Sequence, residues 1–173
     1  MLLHPVLSTK NGHSIIVSEQ FTKEIEQYYD PQTQAVSYTD VFHYDNVTIT
    51  YIDTNSKLIN EYTLLKNQLS SNDGGIYSSF TTMVLGDTLT LFYNDNPKNL
   101  TPKDKPKLAR TSSFFTEPIQ TNYNQNGFIS SKKVDESVGI NLVPKSCYQL
   151  KYDSPSYLIL EQNKRNQLIR ISH

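Results

Sequence analysis

Asn46-Val47-Thr48-Ile49-Thr50-Tyr51-Ile52-Asp53 decides the fold class, because Val47, Ile49 and Tyr51 alternate with Thr48 and Thr50. A period of two sends one set of side chains to a core and the other to polar surroundings, so the stretch reads as a strand. Asp53-Thr54-Asn55-Ser56 follows as a turn, since these side chains bond their own backbone and tolerate left-handed conformations. Residues 58–65 resume an extended pattern and close a hairpin.

The same grammar runs outward in both directions. Residues 2–8 turn at Lys10-Asn11-Gly12 into residues 14–21, with Asn-Gly supplying the positive φ of a tight turn. Residues 24–29 and 36–45 read as a long hairpin broken at Asp30-Pro31-Gln32-Thr33, with one helical turn at Glu24-Ile25-Glu26 left open. Strands are expected at 76–85 and 88–93 around Gly86-Asp87, then at 113–123 and 128–134 around Gln125-Asn126-Gly127. The last three are 141–151, 157–162 and 167–171. The prolines of residues 97–106 forbid a central strand there, because they lack N–H donors.

Composition supports an all-β chain. Among 173 residues there are 12 Tyr and 7 Phe, no Trp, and alanine only at Ala35 and Ala109. These proportions suit pleated, half-buried surfaces and not helical bundles. A net charge of -1 lacks the long-range field of a dedicated nucleic-acid binder. The single cysteine, Cys147, excludes an internal disulfide and sits in an alternating segment where a thiol packs as a core group. No apolar run is long enough for a membrane helix, and the first residues lack the pattern of a signal peptide.

Three apolar segments end abruptly in acids or amides: Ile15 to Gln20, Leu89 to Asn96, and Leu158 to Asn163. Each follows a strand and a tight turn, and the first two precede another hairpin. The unit is a four-stranded antiparallel meander, the form of a propeller blade. One β domain over residues 1–173 is expected, with blades at 2–66, 76–134 and 141–171, the third lacking its outer strand. A single β-barrel or β-sandwich from the same strands is the alternative.

Ile16-Val17-Ser18-Glu19-Gln20, Tyr28-Tyr29, Lys66-Asn67-Gln68, Ser71-Asn72-Asp73-Gly74-Gly75 and Phe92 to Asn99 carry a resemblance. Over nearly the whole chain they are similar to the C-terminal part of a group of uncharacterised bacterial propeller-like repeat proteins. The resemblance implies a blade fold, longer relatives that are often exported, and no established activity to transfer. It also implies a chain that begins in mid-propeller and stops before a last outer strand. Association is then expected, as a homodimer of half-rings, by edge pairing beside residues 167–171, or with the remainder of a larger propeller.

The candidate ligand-binding residues are the polar strand ends Glu19, Gln20, Asn94, Asp95, Asn96, Glu161 and Gln162, because equivalent strand ends share one rim of a propeller. Their rival reading is that they cap turns through backbone N–H groups. A hydrolase or lyase using Glu19 with Asp95 or Glu161 on a carbohydrate-like substrate is the alternative function to non-catalytic binding. No catalytic or metal-binding set is assigned: with the hairpin turning near Gln32, Phe21 falls opposite His43 and His13 lies on the order of 25 Å further along. The six glycines form neither a P-loop nor a dinucleotide fingerprint, so no cofactor is expected. Lys98, Lys103, Lys105, Lys107 and Arg110 lack interleaved aromatics and read as a solvated loop.

Overall fold

The computed structural model describes residues 1–100, 116–134, 141–144, 148–149, 156–162 and 165–171. Strands β1 (Leu2–Leu3), β2 (Leu7–Ser8), β3 (Ser14–Asp30), β4 (Ala35–Ile52), β5 (Leu58–Leu64) and β6 (Gln68–Ser71) form the first sheet. β7 (Phe80–Leu85), β8 (Thr88–Asp95), β9 (Glu117–Asn124) and β10 (Gly127–Lys133) form the second. β11 (Asn141–Leu142), β12 (Tyr148–Gln149), β13 (Ser156–Gln162) and β14 (Arg165–Ile171) form the third. Among the described residues every pairing is antiparallel, and no sheet closes into a barrel.

Each sheet is a meander in chain order. In the first, β1 and β2 share one edge of β3, while β5 and β6 share one edge of β4. In the third, β11 and β12 likewise share one edge of β13. Local turn chemistry sets these registers: Asp53 Oδ1 accepts the N–H groups of Asn55 and Lys57 at 2.8 Å each. Gly12 takes the left-handed conformation of its turn, with φ at 79°.

The layers stack in the order of the chain. Ile15, Val17, Val47, Ile49, Tyr51 and Leu64 of the first sheet pack on Phe80, Val84, Leu89, Leu91, Tyr93, Ile119 and Tyr123 of the second. The opposite face of the second sheet offers Met83 and Phe92 to Leu142 and Leu158 of the third. Successive side chains of a strand point to opposite faces, so Leu91 and Phe92 serve different interfaces. That is why the Leu89 to Tyr93 run is buried without alternation: both of its faces are covered. Edge contacts keep the first two layers aligned, with Lys10 N–H on Gly86 O at 2.9 Å and Tyr62 Oη–H on Gln125 O at 2.8 Å.

Several boundaries differ from the sequence reading. Residues 14–21 and 24–29 join into the single strand β3, so Glu24-Ile25-Glu26 is extended and not helical. Ile76 lies in a turn and β7 starts at Phe80, because Gly74 and Gly75 both take positive φ and bend the chain. β6 was not expected; it extends the first sheet past residue 66. His43 faces Thr22, one place from the expected Phe21, since the four-residue tip centres between Gln32 and Thr33. Residues 2–8 divide into β1 and β2, and the last strand, expected from residue 167, starts at Arg165. The readings placed on Cys147 and on the basic residues from Lys103 to Arg110 lie outside the described residues.

The double burial of β8 sets an expectation for unfolding. Phe92→Ala should cost about 3–5 kcal/mol, whereas Tyr28→Ala, on an exposed stretch, should stay within about 0.5 kcal/mol. Urea titration of both variants checks this, and comparable losses would contradict the layered core.

Candidate functional site

Of the polar residues singled out in the sequence, Glu19 lies where the first sheet meets the second. At Glu19 the regular pairing of β3 with β4 slips: Glu19 faces Val47 but Phe21 faces Tyr44, leaving Asp45 and Asn46 opposite Gln20. A bulge of this kind bends the strand and re-aims its side chains. The outer strand breaks at the same level, between β5 and β6, and there the Lys66 N–H bonds Asn46 Oδ1 at 3.2 Å. The break turns Lys66 inward. Its side chain and that of Glu19 are both fully buried.

Lys66 Nζ donates to Glu19 Oε1 and, at 2.7 Å, to Gln68 Oε1. The second Glu19 oxygen accepts the Ser79 hydroxyl at 2.6 Å. Gln68 Oε1 also accepts the Ser79 N–H at 2.7 Å, and Gln68 Nε2 donates to Asn94 O at 2.7 Å. Ser79 reaches this position through a left-handed backbone, with φ at 72°. Tyr44 closes the side, its ring centroid 6.0 Å from Lys66 Nζ. Gly75 is required there, since a Cβ would come within 2.6 Å of Tyr44 Oη.

Burial is the strongest influence on Lys66 and pulls its ammonium below the ordinary range, while Glu19 and, more weakly, Asp95 and Asp45 pull it back up. His4 lies beside this network, its ring 4.2 Å from that of Phe80 by centroids. Burial holds His4 below its ordinary value of 6.5, opposed by Glu19 and reinforced by Lys66.

Asn94 makes a second junction, between the second and third sheets. Its Oδ1 accepts Leu142 N–H at 2.7 Å, and its Nδ2 donates to Leu142 O and Tyr77 O at 2.7 Å each. The side-chain amide thereby copies a backbone pairing. Asp95 is buried and accepts Asn96 N–H and Asn99 Nδ2, both at 2.7 Å, on Oδ1. Asn96 Oδ1 accepts Lys98 N–H at 3.1 Å, at the head of the 3-10 turn Pro97–Leu100. Asp95 and Asn96 therefore do the work of turn caps.

Of the remaining candidates, Gln20 is exposed opposite the bulge. Glu161 faces Asn141 and Asn166 in register, and Gln162 faces Arg165. Glu19 and Asp95 are thus brought into the electrostatic reach of one lysine, with neither open to solvent. Sequence reasoning missed Lys66, Gln68, Ser79 and His4. Lysine is ordinarily exposed, and nothing in Leu64-Leu65-Lys66-Asn67-Gln68 marks this one as buried.

Two outcomes follow for stability. Lys66→Met should cost about 3–5 kcal/mol by stranding the Glu19 carboxylate, and adding Glu19→Gln should recover part of that loss. Additive losses in a double-mutant cycle would show that the two side chains act separately. His4 favours its neutral form in the fold, so its contribution is complete above pH 6.5 and declines as pH falls below that value, where the unfolded chain takes up the proton first. His4→Phe should flatten the stability slope below pH 6.5, and an unchanged slope would remove His4 as its source. No family model matches the chain, and neither a curated protein nor a solved structure matches it.

Proposed function

We propose that the chain is a propeller-like module for binding or interaction, without catalytic activity. One observation carries the reading: a polar side chain on an inner strand of one sheet is bonded to the segment that opens the next. Glu19, on β3, bonds Ser79 just before β7, and Asn94, on β8, bonds Leu142 of β11. Successive four-stranded meanders joined in this way have the arrangement of blades, and blades present ligand sites at one rim.

The non-catalytic reading is supported by what the carboxylates already do. Glu19 engages Lys66 and Ser79, and Asp95 engages the turn that follows it. General acid–base work needs a carboxyl group within reach of substrate, and these two face inward. The rim offers the exposed Gln20 and the half-buried Asn96 for hydrogen bonding instead. Association with a second copy or with further blades belongs to the same proposal, because β14 is paired on one side only among the described residues.

A thermal-shift panel of glycans and divalent metals tests the proposal. A ligand at about 100 times its Kd stabilises by about 2.7 kcal/mol, equivalent to roughly 5–10 °C for a chain of this size. At least one glycan or metal should raise the melting temperature, and Gln20→Ala should reduce that rise. A flat panel would count against the binding role, and turnover of a glycan would replace it with the carboxylate-dependent enzyme.

A further inference from the structure

β3 and β4 run well past their sheet. Beyond Asp40, whose backbone bonds Asn72, residues 26–30 and 35–39 pair only with each other among the described residues, forming a two-stranded arm. Directly opposed residues share a face, so Lys23, Ile25, Gln27 and Tyr29 lie with Val36, Tyr38, Asp40 and Phe42. The contacts agree: Lys23 Nζ is 3.1 Å from Asp40 Oδ2 and 5.3 Å from the Phe42 ring centroid. Ile25, Tyr29, Val36 and Tyr38 on this face are 67, 54, 47 and 66% exposed. The reverse face carries Glu24, Glu26 and Asp30 beside Tyr28.

We propose that the Ile25-Tyr29-Val36-Tyr38 face docks on the same face of a second copy. An isolated two-stranded ribbon is marginal in water, whereas two ribbons packed face to face make a small sandwich with a shared apolar interior. Charge selects the occupant. The only ions on the apolar face, Lys23 and Asp40, neutralise each other within one chain, so two copies meet without like-charge contact. The acidic reverse faces then point outward, and a basic partner would choose that side. The four side chains expose on the order of 500 Å2, so two copies cover on the order of 1,000 Å2, the lower bound of a specific interface. Tyrosines at the centre are the usual anchors of such a contact.

Sedimentation velocity on the full chain from about 1 to about 100 µM reads the association directly. The wild type should sediment as a dimer at the upper end. Tyr29→Thr with Tyr38→Thr, which keeps strand propensity, should raise the dimer dissociation constant at least about 100-fold, while Tyr28→Thr on the reverse face leaves it unchanged. If the double variant fails to fold by circular dichroism, Ile25→Lys repeats the test with one charge on the same face. A wild type that stays monomeric, or a dimer that survives the apolar-face substitutions, would overturn the arm contact. In the second case the association belongs to another surface, and the binding proposal for the strand-end rim is unaffected.

Discussion

The Lys66–Glu19 ion pair fixes how the first two layers meet. Removing two charges from water costs several kcal/mol per ion, and an apolar pair of equal volume would often serve stability as well. What the pair supplies is position. Glu19 is satisfied only with Lys66 on one side and the Ser79 hydroxyl on the other, and Ser79 leads directly into β7. A displaced second sheet would leave that carboxylate short of a partner in a dry interior. The bulge at Asp45-Asn46 and the break between β5 and β6 follow from the same demand, since together they turn the lysine inward.

Amides repeat the device without charge. Gln68 receives the Ser79 N–H, and Asn94 pairs with both backbone groups of Leu142. Hydrophobic contact between sheets is non-directional and tolerates sliding, whereas an amide that copies a strand pairing accepts one registration. The apolar interfaces therefore provide the drive to stack, and the polar strand ends set the alignment. This division explains why three of the seven candidate ligand residues are internal: Glu19, Asn94 and Asp95 are used in holding the layers and the turn.

Much of the architecture was legible where local chemistry decides it. Alternation from Val47 to Tyr51, the Asn-Gly pairs and the Asp53 turn each carry their own physical cause within a few residues. Of the three abrupt polar strand ends, those at Asp95 and Gln162 do close β8 and β13, whereas β3 runs through Glu19 to Asp30, and the partners of Glu19 were not legible. Glu19 and Lys66 are 47 residues apart, and the lysine is inward only because of a bulge and a strand break that no local pattern encodes. Ile76 illustrates the opposite error: apolar character suggested a strand, but the positive φ of Gly74 and Gly75 made a turn.

The long β3–β4 hairpin shows the limit of pattern from another side. Its alternation is as clear as that of Val47 to Ile52, yet no layer among the described residues covers Ile25 or Tyr38. Period two reports that a strand has an apolar face and is silent on whether that face meets its own core. Within the stack, residues of that character are covered by the neighbouring sheet, as Val17 and Ile49 are. Along the arm no sheet among the described residues covers the apolar residues that persist, and Lys23 and Asp40 cancel at the one place where charge would interrupt the face. Unneeded apolar surface on a ribbon with open edges invites indiscriminate pairing, which acidic residues confined to the reverse side restrain. The arm therefore combines one largely apolar exposed face with one acidic face, a polarity that the layered body does not require for its own folding.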